Sequence, residues 1–165
     1  MAKLAASCIV NLVLRVFVFV LLLISLILIC TNTTTAKGTD VFAEQDFRFQ
    51  DVIAYRYMLS SIVIGTAFVL LQLAFTIYNV IAKSEGNLLF DFYGDKIMSY
   101  VLATGAASGF GVTNDMQMLF NKLNIFLGDD FYAKSYASAS LLLLATVCTA
   151  VLSVFSSYAL IPKTV

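Results

Sequence analysis

Apolar residues gather into four long runs, at residues 9–30, 57–81, 88–112 and 136–161, separated by polar stretches at 31–56, 82–87 and 113–135. Each run reaches the ~20 residues that a helix needs to cross ~30 Å of hydrocarbon. None alternates apolar and polar with a period of two, so the pattern predicts membrane helices rather than a β-barrel. The run at 88–112 is the least apolar because Gly, Ala, Ser and Thr fill much of it. It still counts as a span, since packed membrane helices use small residues at their contacts. The first run exceeds the ~7–15-residue apolar core of a signal peptide and contains Arg15, which predicts an uncleaved helix. Within 113–135, Met118, Leu119, Leu123, Phe126 and Leu127 follow helical spacing, which predicts a short amphipathic helix between Asn114 and Phe131.

Four spans place both termini on one side of the membrane, together with the link 82–87. The stretches 31–56 and 113–135 share the other side. Basic residues do not choose an orientation: Lys3, Lys83 and Lys163 lie on the termini side, and Lys37, Arg48, Lys122 and Lys134 on the loop side. Tyr55, Tyr57, Tyr78, Tyr93, Tyr132, Tyr136 and Tyr158 all fall near predicted span ends, where an apolar ring with a polar tip anchors at the interface.

Composition agrees with this class. Of 165 residues, 61% are hydrophobic and 12% charged, more apolar than a soluble core of this size could hide. Ten basic and ten acidic residues leave no net charge and no basic cluster for nucleic acid. Histidine is absent, which removes the usual general base and most haem and zinc ligation. Cys8, Cys30 and Cys148 show no CxxC spacing and read as small hydrophobes, with Cys8 a candidate for palmitoylation. No catalytic residue, metal site or cofactor is expected.

Arg15 and Asp95 lie inside apolar runs, each several residues in from the same side. Spans one and three run in the same direction, so Arg15 and Asp95 sit at equal depth. An unpaired charge in hydrocarbon costs a few kcal/mol even on gentle insertion scales, roughly 2.5–3.5. The two residues are therefore expected to form an ion pair between spans one and three. Gln72 in span two, and Asn79 near its end, are candidates for hydrogen bonds between helices. Small residues recur at four-residue steps: Gly105 and Gly109, Ala107 and Gly111, Ser61 and Gly65, and the stripe Ala145, Thr149, Ser153 and Ser157. Such stripes let neighbouring backbones approach, and packing within the bundle is preferred to a dimer seam. Asn32-Thr33-Thr34 is a formal glycosylation sequon. It lies against the end of span one and is expected to stay unmodified.

Long strings carry a resemblance: NLVLRVFVF in span one, AYRYMLSSIVIG opening span two, FDFYGDKIMSYVLATGAASGFGVT around span three and KSYASASLLLLA opening span four. Over nearly the whole chain the sequence resembles the plant Casparian strip membrane domain protein-like (CASP-like) family, group 4, relatives of the MARVEL tetraspans. That family has an arginine in span one and an aspartate in span three, which Arg15 and Asp95 match. The resemblance implies a multi-pass plasma-membrane protein with cytosolic termini, forming homo-oligomers and hetero-oligomers with family members. The best known relatives build an immobile platform that recruits wall-modifying enzymes. Their signature in the first outer loop and their cysteines in the second are missing here, so a general role in organising membrane patches is expected rather than Casparian strip formation.

The expected fold is thus an all-α membrane protein, a four-transmembrane-helix bundle embedded in membrane lipid. The expected function is a non-enzymatic scaffold. The alternative is a small channel or transporter subunit, which would need polar residues at the bundle centre, and Arg15, Asp95 and Gln72 are the clear candidates.

Overall fold

A computed structural model describes residues 2–36, 45–82, 88–123 and 128–160. The segment 37–44 with Lys37, the link 83–87, Phe126 and Leu127, and the tail 161–165 lie outside the described residues, as do the side chains of Cys8, Asn79 and Tyr158. Four helices account for most of the chain: α1 (Ala2–Cys30), α2 (Ile53–Ala82), α3 (Leu88–Lys122) and α4 (Asp129–Leu160). Between α1 and α2 lies an antiparallel hairpin of β1 (Thr33–Ala36) and β2 (Gln45–Arg48), with Thr33 opposite Arg48 and Ala36 opposite Gln45. One 3-10 turn, Phe49–Asp51, then leads into α2.

The packed pairs are α1–α2, α2–α3, α3–α4 and α1–α4, so the helices form a ring in chain order. Contacts between α2 and α3 descend one helix as they climb the other: Tyr57 meets Thr104, and Gln72 meets Asp95. Neighbours are therefore antiparallel, and α1 and α3 run the same way. The axis of the ring is filled by Val18, Leu22, Met58, Ile62, Leu102, Ala106, Ala139 and Leu142. Large side chains such as Val13, Phe17, Ile27, Leu70, Leu144 and Val147 point outward and stay exposed. An apolar exterior around an apolar core is what a bundle in lipid presents.

Among the described residues, three segments are long and apolar enough to cross a membrane: Ile9–Cys30, Ile53–Tyr78 and Asp129–Ser157. Helix α3 is the longest, its 35 residues covering about 52 Å at 1.5 Å per residue, yet it is less apolar. Its polar and small residues include Asp91, Asp95, Ser99, Gly105, Gly109 and Thr113.

The helices outrun the predicted spans. Helix α3 continues past residue 112 to Lys122, and α4 begins at Asp129 rather than 136. Of the amphipathic helix expected between Asn114 and Phe131, the part up to Lys122 belongs to α3 and the part from Asp129 to α4, while Phe126 and Leu127 lie outside the described residues. Two tyrosines also differ from the interfacial role expected of them. Tyr55 is fully buried and Tyr132 nearly so, whereas Tyr57, Tyr78 and Tyr93 are exposed. The Tyr55 ring stands edge-on to Phe131 at 6.0 Å, inside the end of the bundle.

Candidate functional site: buried polar ties between the helices

Arg15 sits on the inward face of α1, one turn after Asn11. Its side chain is 1% exposed. Nη2 lies 3.2 Å from Asp95 Oδ2 and 3.4 Å from Asp91 Oδ1, both on α3. Nε donates to Asn11 Oδ1 at 3.2 Å. The other oxygen of Asp95, Oδ1, accepts from Gln72 Nε2 of α2 at 2.7 Å. One buried carboxylate thus holds two helices, and the guanidinium fastens its own helix to them.

Local sequence makes this possible. Asn11 and Arg15, like Asp91 and Asp95, are four residues apart, so each pair lies on one helix face. Gly94 clears the space beside them. A Cβ there would clash with Phe68 Cζ and stand 3.4 Å from Gln72 Nε2. A larger residue would therefore displace Phe68 and crowd the amide that reaches Asp95.

Three further ties lie toward the other end. Ser25 Oγ donates to the Ser138 carbonyl, and Ser138 Oγ donates to the Ser25 carbonyl, each at 2.9 Å. These reciprocal bonds lock α1 to α4. Beyond them, Asn32 Nδ2 donates to Ser135 Oγ at 2.7 Å and to the Phe131 carbonyl at 3.0 Å. Tyr55 OH of α2 bonds Thr113 Oγ1 of α3 at 2.9 Å. Because Thr113 Oγ1 donates to the Gly109 carbonyl at 2.7 Å, Tyr55 is the donor in that pair.

The structure brings Arg15, Asp95 and Gln72 into one cluster. It places Asn32 at the opposite end, fully buried, with its amide nitrogen engaged by α4. The nitrogen that a glycan would occupy is therefore held inside the fold. Gly65, Gly105 and Gly109 face neighbours across the α2–α3 seam and at α4: an added Cβ would stand 2.7 Å from Leu102, 2.7 Å from Ser61 and 2.6 Å from Met58 Sδ, respectively. Gly111 is different. Nothing lies within 4 Å of where its Cβ would be, and it faces outward. Ala145, Thr149 and Ser153 are buried on α4.

Sequence reasoning missed Asn11, Asp91 and Gly94 at one end, Ser25 and Ser138 along the bundle, and Tyr55, Thr113 and Ser135 at the other end. Four-residue spacing from Arg15 and Asp95 was the available signal for Asn11 and Asp91. No group of three or more potential metal ligands occurs among the described residues.

Helices of this length and apolarity, joined through buried hydrogen bonds and one ion cluster, define a helical membrane protein. The sequence matches the Casparian strip membrane protein domain over residues 5–149. It is 52% identical to CASP-like protein 4D1 of Ricinus communis, covering 97% of this chain and 95% of that one. It is 49% identical to CASP-like protein 4D1 of Populus trichocarpa, over 92% of this chain and 86% of the relative. It is 48% identical to CASP-like protein 4D2 of Arabidopsis thaliana, over 90% and 88%. The chain belongs to the CASP-like family. No solved structure matches it.

Proposed function

We propose that this protein is a four-span tetraspan of the plasma membrane, with both termini in the cytosol, that self-associates and organises membrane patches. In this reading α3 is the fourth span. Its buried charge does not forbid insertion, because Asp95 is 2% exposed and bonded to Arg15 and Gln72. Charges inside a membrane bundle persist when paired in this way.

One observation carries the scaffold reading over the channel reading: apart from Arg15 Nη1 and Asn32 Oδ1, the buried polar side-chain atoms among the described residues bond to one another or to their own helices. Arg15 and Gln72 both bond Asp95, and Ser25 and Ser138 bond each other. Thr66, Thr76 and Thr146 each donate to the carbonyl four residues earlier. A pathway for ions or polar solutes needs polar groups free to exchange partners with them. A scaffold needs a rigid bundle with apolar sides for lateral contact, and with outer segments that reach partners such as cell-wall-modifying enzymes.

The test is the lateral mobility of a fluorescent fusion in plant plasma membrane, wild type beside Asp95→Asn. The scaffold reading expects slow, clustered wild-type protein, and a variant that is mobile or held in the secretory pathway. Freely diffusing monomers in both cases would overturn it, and flux into protein-containing liposomes would then favour the channel reading.

A further inference from the structure

Lys96 follows Asp95 in the chain and lies at the same depth, but one residue of helix turns it about 100° away. Asp95 points into the bundle, and Lys96 is exposed on its outside. Arg15 occupies both nearby carboxylates, Asp91 and Asp95. Among the described residues Lys96 has no ion-pair partner. Its Nζ lies 5.8 Å from the centroid of the Phe92 ring, one turn closer to the start of α3. The side chain therefore runs toward the end of the bundle that holds the chain termini. A lysine does this in a membrane when its stem stays in hydrocarbon and its ammonium reaches the headgroup layer.

The surroundings select the occupant. Phe92 and Tyr93 stack edge to face at 5.3 Å, and Tyr93, Ile97 and Tyr100 are 59%, 59% and 63% exposed. Bulky side chains around the lysine keep another helix at a distance, because close helix contacts in membranes need small residues. Acyl chains fill such a surface, and an ammonium with three donors suits a phosphate oxygen. We infer that Lys96, seated on Phe92 and flanked by Tyr93 and Tyr100, binds the headgroup phosphate of an anionic phospholipid in the leaflet nearest the chain termini. This rests on the reading that α3 crosses the membrane.

The experiment uses the full chain in nanodiscs of equimolar phosphatidylglycerol and phosphatidylcholine, with retained lipid counted by native mass spectrometry. Lys96→Ala should lower phosphatidylglycerol retention about fivefold, the equivalent of about 1 kcal/mol for a basic residue near an anionic surface. Lys96→Arg should restore it, and Lys122→Ala, at the far end of α3, should leave it unchanged. Equal retention by wild type and Lys96→Ala would overturn the inference. So would an equal loss in Lys122→Ala, or a change of oligomeric state in Lys96→Ala without a change in lipid. A separate measurement isolates the underlying reading. Ala107→Cys, made in a background with Cys8, Cys30 and Cys148 replaced by alanine, should resist a water-soluble maleimide in sealed vesicles. Labelling there would sink the four-span reading itself, whatever the lipid count.

Discussion

Arg15 touches two carboxylates, but they are not equivalent. The Asp95 side chain is 2% exposed and is also held by Gln72, whereas that of Asp91 is 19% exposed. Removing one partner of a buried pair strands the other charge and costs about 3–5 kcal/mol, while a more solvated pair contributes under about 1 kcal/mol. Thermal melts in micelles should therefore show Asp95→Ala far less stable than Asp91→Ala. Equal losses would mean that the two acids share the load. Asn32 offers a second test at this scale. Glycosidase treatment should leave the mobility of the natural chain unchanged, and Asn32→Ala should lower stability by about 1–3 kcal/mol, because its bonds to Phe131 and Ser135 go unmade. A glycan on Asn32 would contradict its burial. Arg15 and Asp95 were legible in the sequence because a charge within an apolar run stands out, and counting from a shared end brings them level. Asp91 and Asn11 were not, because polar residues near a border look like ordinary border residues. Tyr55 was misread for the same reason: position near a span end does not say which way a ring faces.

Among the elements, α3 is where sequence and structure differ most. Its two small-residue stripes look alike in the sequence, yet Gly105 and Gly109 face α2 and α4 while Gly111 faces outward. Only the positions of the neighbouring helices decide which stripe is inside. Gly105→Val or Gly109→Val should destabilise by about 1–3 kcal/mol, since Ser61, Met58 and Ala139 leave no room. Gly111→Val should change stability by less than about 0.5 kcal/mol. Melts in which Gly111→Val is the worst of the three would place the packed face of α3 elsewhere. The length of α3 was also hard to read. Hydropathy reports where an apolar run ends, not where a helix ends, and Thr113, Asn114 and Asp115 close the run while the backbone continues to Lys122. The start of α4 follows a different rule: Asp129 and Asp130 occupy its first turn, where the helix dipole favours negative charge.

At the scale of the whole molecule, the ties form a pattern along the bundle. The Arg15 cluster joins α1, α2 and α3 at one end, Ser25 and Ser138 join α1 to α4 along it, and Asn32 and Tyr55 close the α1–α4 and α2–α3 seams at the other end. Apolar contact alone drives helix association weakly in lipid, because acyl chains are as apolar as leucine, so directional bonds fix which helices meet and in what register. The number of helices and the ring's membrane character followed from hydropathy. The hairpin β1–β2 did not, since a four-residue strand in a polar loop leaves little pattern to read. The most direct test of the central claim is a double-mutant cycle between Arg15→Met and Asp95→Asn, read by unfolding of the full chain in micelles. A pair that clamps α1 to α3 predicts a coupling of at least about 1 kcal/mol, with the double variant more stable than the sum of the single losses allows. Losses that add to within about 0.3 kcal/mol would show that the two residues act independently, and would contradict the account.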